Sequence, residues 1–107
     1  TDFAGVKSVS KRKEGYVTDG PFLYRSKEGE LFCIWSSLLH TGYAQLYSKS
    51  NNGDIDGEWE VIQTPIYAED GGHGMLFTDL EGKTRFVMHS PNTATLERPV
   101  LLDITLE

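Results

Sequence analysis

The chain contains an internal repeat, because its second half falls on its first half after a shift of about 53 residues. The aligned pairs are 72–77 (GHGMLF) on 19–24 (DGPFLY), Gly82 on Gly29, 86–90 on 33–37, and Pro99-Val100 on Leu46-Tyr47. Each half therefore reads as strand, Gly turn, strand, loop and strand. A period of roughly 40–50 residues with about four strands per unit is typical of a propeller blade.

The hydrophobic pattern favours strands almost throughout. Short apolar or alternating segments are separated by Gly, Asn and Asp turns, and no amphipathic stretch is long enough to predict a helix. The predicted strands of the first unit are 22–24, 31–35, 43–47 and 59–62. The second unit repeats the first three and shows no fourth before residue 107.

These patterns predict an all-β fold of about two four-stranded blades of a β-propeller, incomplete on its own. We divide it into a connecting segment (1–14), a first blade (15–66) and a second blade lacking its outer strand (67–107). A β-sandwich of short strands fits the spacing as well, and the repeat favours blades over it. Because at least about three stacked repeats are usually needed for stability, the missing blades are expected from upstream chain or from a second chain.

Composition excludes several partners. The net charge of −6 opposes binding to nucleic-acid phosphates. No apolar run approaches the roughly 20 residues of a membrane helix, so no membrane partner is expected. The one cysteine, Cys33, lies in an apolar run and is expected to be a buried, inert thiol.

A carboxylate stands before a Gly-Pro turn in the segment 17–21 (VTDGP). Asp19 thereby heads the innermost strand of the first blade, and such strands line the central channel of a propeller. The side chain is then rigidly aimed into a pocket, where a carboxylate could carry chemistry. The alternative is a turn aspartate that caps its own backbone.

The equivalent place in the second blade carries 69–75 (EDGGHGM). His73 is flanked by glycines, which allow close backbone approach, and the repeat puts it beside Asp19 at the channel. It is a candidate metal ligand, and a structural histidine is the alternative. Glu69 and Asp70 are candidate ligands or catalytic groups as well, although solvated loop acids are the commoner case.

Three residues are candidates for binding substrate. Trp35 and His89 close the second strands of the two blades, and Trp35 offers an apolar platform to a sugar face, with core packing as the alternative. Arg98 opens the third strand of the second blade, where it can bind a hydroxyl or carboxylate or simply face solvent.

The ordered series of these motifs resembles the later blades of glycoside hydrolase family 43 over about residues 15–104. The segments that carry the resemblance are 18–24 (TDGPFLY), Gly29, 34–37 (IWSS), 57–59 (GEW) and 70–75 (DGGHGM). The resemblance implies a five-bladed propeller that cleaves arabinofuranosyl or xylosyl linkages in plant polysaccharides with inversion. Its substrate is an oligosaccharide or polysaccharide.

The same resemblance implies roles for two residues. Asp19 stands where the family has the general acid, which is usually a glutamate, and His73 looks like the histidine that holds a structural calcium ion near the axis. The general base and third carboxylate have no counterpart here, so this piece alone is expected to be inactive. A non-catalytic carbohydrate-binding propeller is the alternative, suggested by Asp for Glu, and an interaction propeller of the WD or kelch type is another.

Overall fold

The structure is a computed structural model that describes residues 17–106, so the predicted connecting segment lies outside the described residues. Within this range every regular element is a β-strand. The strands are β1 Asp19–Arg25, β2 Leu31–Leu39, β3 Gly42–Ser50, β4 Trp59–Val61, β5 Gly72–Thr78, β6 Thr84–Ser90 and β7 Arg98–Leu102. A search of the same range finds no helix that is long and apolar enough to span a membrane.

The strands form two antiparallel sheets in chain order. The first sheet has the order β1-β2-β3-β4, and the second has the order β5-β6-β7. The prediction of two stacked blade-like sheets, with three strands in the second, is confirmed. Several strands extend beyond their predicted bounds, because β1 begins already at Asp19 and β2 continues through Leu39.

The repeat is visible in the strand register. The pairings Asp19–Ser36 and Phe22–Ile34 of the first sheet recur in the second sheet as Gly72–His89 and Met75–Val87. Each innermost strand is interrupted by a bulge at this same place, between residues 19 and 22 and between residues 72 and 75. A bulge increases twist and re-aims the neighbouring side chains.

The third strands match less simply. Trp35 pairs with Leu46 in the first sheet, and its counterpart Met88 pairs with Val100 in the second. Leu46 therefore corresponds to Val100, and the alignment of the third strands made from sequence was wrong by one residue. The reason is that the chain between the paired positions is one residue longer in the second unit, from Met88 to Val100, than in the first, from Trp35 to Leu46.

The main core lies between the sheets. Ile34 of the first sheet meets Leu76, Phe86 and Met88 of the second, and each is at most 4% exposed. A second cluster, Ala44 and Leu46 with Trp35 beside them, lies in the first sheet. Cys33 is half-buried, and burial raises the pKa of its thiol, which keeps it protonated and suits an inert residue.

The second sheet leaves an apolar face uncovered, which we call its outer face. The outer face consists of Met75, Phe77, Val87 and Leu101. Leu101 is 53% exposed and Met75 is 47% exposed. In the first sheet the repeat counterparts of these residues pack in the core between the sheets; they are Phe22, Tyr24, Ile34 and Tyr47. The outer face is thus the counterpart of a face that the first sheet has covered.

Charged residues gather at the edge of the second sheet where the β5–β6 turn lies. Asp103 accepts hydrogen bonds from Lys83 at 2.9 Å and from Arg85 at 2.6 Å. These two bonds, in that order, lower the pKa of Asp103. The groups are exposed to solvent, where ion pairs contribute little to stability.

Candidate functional site

The predicted site residues meet at one edge of the two sheets, which we call the Asp19 edge. Here β1, β3, β5 and β7 begin and β2 and β6 end. The antiparallel order of both sheets produces this arrangement, because every second connection returns to the same edge. Asp19, His73, His89 and Arg98 all lie at this edge, and for Asp19 and His73 the repeat predicted this placement.

Asp19 is held by a tyrosine from a neighbouring strand. The hydroxyl of Tyr43 on β3 donates a hydrogen bond to the Asp19 Oδ1 atom. The Tyr43 ring is 4% exposed and stacks on His89 of the second sheet, with 5.6 Å between ring centroids. Burial, followed by the hydrogen bond to Asp19, raises the pKa of Tyr43 to about 12. The hydroxyl therefore remains a proton donor at neutral pH.

His73 lies directly against the backbone next to Asp19. A Cβ atom added at Gly20 would meet the His73 ring at 3.0 Å, so a larger residue there would require the ring to shift by a few tenths of an ångström. The two residues are repeat counterparts, and both are left-handed, with φ of 57° at Gly20 and 55° at His73. Glycine adopts this conformation freely, whereas histidine is strained in it. The chain keeps a strained imidazole where its other half has glycine.

Two buried polar side chains of the first sheet fix the bulge that carries His73. The bulge takes the amides of His73 and Gly74 out of the ladder with β6. Ser36 Oγ accepts the His73 N–H at 2.6 Å, and Gln45 Oε1 accepts the Gly74 N–H at 2.9 Å. Ser36 and Gln45 are both 0% exposed. The interface between the sheets thus positions the imidazole.

Asp70 fastens the loop after β6 to the same edge. Its carboxylate accepts the Tyr43 N–H at 3.0 Å through Oδ1 and the Asn92 N–H at 3.1 Å through Oδ2. Asn92 is also hydrogen-bonded to His89, with 2.9 Å between its Oδ1 and the ring Nε2. Asp70 is half-buried and engaged at both oxygens, unlike the solvated loop acid that is common at such positions.

The predicted substrate-binding residues lie at different distances from this centre. His89 contacts Tyr43 and so belongs to it. Trp35 packs with Ala44 and Leu46 in the second cluster, in agreement with the packing alternative. Arg98 is exposed and hydrogen-bonds to its own loop, its Nη1 atom donating to the Glu97 carbonyl at 2.8 Å. Their binding roles stay predictions.

The calcium prediction has weaker support from the geometry. Residues 17–106 contain no group of three or more His, Cys, Asp or Glu side chains that could hold a metal ion. Calcium takes six to eight oxygen ligands. His73 offers one nitrogen, and Asp19 is engaged with Tyr43. The described residues therefore offer one candidate ligand, and a largely hydrated calcium ion at His73 stays a prediction.

Asp19 has one carboxyl oxygen bonded to Tyr43 and the other without a hydrogen bond to residues 17–106, and the next residue, Gly20, contacts the His73 imidazole. A carboxyl group and an imidazole in this arrangement can deliver a proton to a bound oxygen or bind a hydroxyl. Sequence reasoning did not identify Tyr43, Ser36 or Gln45. The alternation of residues 43–47 (YAQLY) held a usable signal, since it puts Gln45 on the same face of β3 as two tyrosines.

The strain at His73 predicts opposite effects for two matched substitutions. His73→Gly should stabilise the chain by about 1 kcal/mol, because it relieves a left-handed non-glycine residue. Gly20→Ala should destabilise it by about 1–2 kcal/mol, since it creates that strain and pushes on the imidazole. Urea unfolding of both variants measures the two shifts. A loss of stability in His73→Gly would show that the ring's packing outweighs the backbone strain.

Comparison with known proteins gives one informative similarity. The chain is similar to the crystal structure of an endo-arabinase from Bacteroides thetaiotaomicron, with 37% sequence identity and a TM-score of 0.82. The match covers 94% of this chain and 36% of the endo-arabinase chain. The chain thus spans about a third of that protein's length. No protein-family model matches the chain, and a search of curated proteins gives no match.

Proposed function

We propose that this chain is the later part of a family 43 glycoside hydrolase, and that the complete protein cleaves arabinofuranosyl or xylosyl linkages in plant-type polysaccharides. The observation that carries the proposal is the similarity to an endo-arabinase along 94% of the chain. That similarity favours arabinofuranosyl over xylosyl substrates. The close approach of the His73 ring to Gly20, the residue after Asp19, supports the same assignment.

Asp19 is the proton donor in this proposal. Inversion needs two carboxyl groups roughly 6.5–9.5 Å apart, with the attacking water between the base and the sugar. The proton of Asp19 passes to the glycosidic oxygen as its bond to the anomeric carbon breaks. Water forms the new bond from the opposite face and gives its proton to the base. The base comes from a part of the protein outside the described residues.

Completion of the site requires further blades. The outer face of the second sheet is apolar and exposed, although its repeat counterpart in the first sheet is covered by a neighbouring sheet. We assign the outer face to another blade of the same architecture, from upstream chain or from a second chain. Burying Met75, Phe77 and Leu101 there supplies the favourable free energy for docking.

A second candidate function is sugar binding without catalysis. It is favoured by the aspartate at position 19, whose side chain is one methylene shorter than the glutamate usual in the family.

A structural calcium ion at His73, with water as its main ligands, is a separate proposal. No step of the mechanism depends on it.

Hydrolysis assays on the full-length protein and on the isolated chain test the function. We expect the full-length protein to release sugars from arabinan with inverted anomeric configuration, read by NMR of the first product. The isolated chain should be slower by at least about 10²–10⁴-fold, because it lacks the base. Binding of arabino-oligosaccharides without release would favour the second candidate. Rapid turnover by the isolated chain would place the base among residues 1–107 and overturn the proposed division of roles.

A further inference from the structure

Tyr43 is the best-fixed side chain at the Asp19 edge. Tyr43 is 4% exposed, and its ring stacks on His89. The ring also packs close to Gly72, where an added Cβ atom would be 2.9 Å from it. The backbone N–H of Tyr43 donates to the Asp70 carboxylate, and its backbone carbonyl accepts the Gly71 N–H at 2.9 Å. The hydroxyl therefore has a defined position.

Asp19 itself has little else to hold it. Its side chain is exposed, and Gly20 behind it is a left-handed bulge residue. A carboxyl group on a single χ1–χ2 pair can rotate unless a partner fixes it, and here the partner is the Tyr43 hydroxyl at Oδ1. The contact joins β1 to β3 across β2, so the orientation of Asp19 depends on the whole first sheet.

We propose that Tyr43 is the positioning residue of the proton donor: its hydroxyl occupies Oδ1 of Asp19, so that the transferred proton is carried and delivered by Oδ2. This inference rests on the proposed function and adds a residue to it. Tyr43 has no step of its own in the reaction and does not touch the sugar. It acts by fixing which oxygen faces the glycosidic bond.

The protonation of Tyr43 suits this role. Its pKa is raised to about 12 by burial and by Asp19, so the phenol keeps its proton and donates to Oδ1 in both protonation states of the carboxyl group. The groups that face the phenol are Asp19 from β1, Ser36 from β2 and His89 from β6. The hydrogen bond with Ser36 lowers the pKa of Tyr43, but burial and the hydrogen bond to Asp19 raise it by more.

A positioning role for the acid has a signature that a purely structural role lacks. Cleavage of a sugar–sugar bond needs protonation of a poor leaving group. The dinitrophenolate of a dinitrophenyl glycoside leaves without being protonated. Misplacing a proton donor should therefore slow the first reaction and spare the second. A loosened fold or a damaged binding site would slow both.

The test uses Tyr43→Phe in the full-length protein, which keeps the ring and removes only the hydroxyl. On arabino-oligosaccharides kcat should fall about 10- to 100-fold with KM changed by less than about threefold. On the dinitrophenyl arabinofuranoside kcat should stay within about threefold of wild type. Tyr24→Phe is the matched control, since it likewise removes one tyrosine hydroxyl bond, in this case the bond to Thr84 of the second sheet at 3.4 Å.

A double variant keeps the outcome decisive even if Tyr43→Phe loosens the fold. If Tyr43 acts through Asp19, Asp19→Asn combined with Tyr43→Phe should be no slower on oligosaccharides than Asp19→Asn alone. Equal losses on both substrate classes, additive losses in the double variant, or wild-type rates in Tyr43→Phe would each overturn the positioning role while the proposed function stands. Absence of hydrolysis by the wild-type full-length protein would instead remove the function itself, and the role with it.

Discussion

Asp19→Asn is expected to lower kcat/KM of the full-length protein on arabino-oligosaccharides by about 10²–10⁴-fold. Asparagine has the shape of aspartate, and its carbonyl oxygen can still accept the hydroxyl of Tyr43. Its amide has no proton to give to a glycosidic oxygen. Initial rates over a range of substrate concentrations measure the loss.

The matched control is Asp103→Asn, which neutralises an exposed carboxylate at the opposite edge of the second sheet. It should leave kcat/KM within about twofold of wild type, because surface ion pairs contribute little. If Asp19→Asn retained wild-type rates on oligosaccharides, Asp19 would have no part in proton transfer, and another carboxyl group would be the acid.

Gln45→Leu should cost about 2–5 kcal/mol of folding free energy, the largest stability effect that we expect of one polar residue here. The Gln45 amide donates to the Trp35 carbonyl at 2.9 Å and accepts the Gly74 N–H at 2.9 Å, and the side chain is 0% exposed. Leucine fills the space but leaves the buried Gly74 N–H without a partner, at about 1–3 kcal/mol, and also removes the bonds of Gln45 to the part-buried Trp35 carbonyl and the Ser36 hydroxyl. Urea unfolding of the chain, followed by tryptophan fluorescence, measures the difference.

Gln63→Leu provides the comparison. Gln63 is exposed, and its amide also donates to a backbone carbonyl, that of Val61 at 3.1 Å. Because solvent can replace this bond, the change should stay within about 0.5 kcal/mol. Similar losses in the two variants would mean that burial of the Gln45 network does not decide its contribution.

Much of the fold could be predicted because the two halves share their turns and apolar periods. Gly29 and Gly82 mark equivalent hairpins, and the first two strands of each unit fell into register at one shift. The third strands did not, since a longer connection before Arg98 moves the pairing by one residue. Loop length changes register without changing the apolar pattern, so the sequence carried no warning of it.

The site was predicted in outline and missed in detail for a related reason. The repeat alone brought Asp19 and His73 to a common edge. The hydroxyl bond from Tyr43 and the buried amide of Gln45 depend on which face of β3 meets the other sheet, and on two bulges that alternation does not reveal. Trp35 is a residue type that can stack on a sugar. It precedes Ser36 on β2, so its side chain points to the opposite face of the strand and packs in the second cluster.

The two halves differ where His73 contacts Gly20: residues 19–20 are Asp-Gly and residues 72–73 are Gly-His. Gly20 has no side chain where its counterpart has the imidazole of His73, and Gly72 has none where its counterpart has the carboxyl group of Asp19. A consensus blade averaged from both units, a common route to more robust repeat proteins, would write one dipeptide twice. It would give either two carboxyl groups and no imidazole, or two imidazoles in the volume of one. Redesign of this scaffold must therefore preserve its asymmetry at four positions.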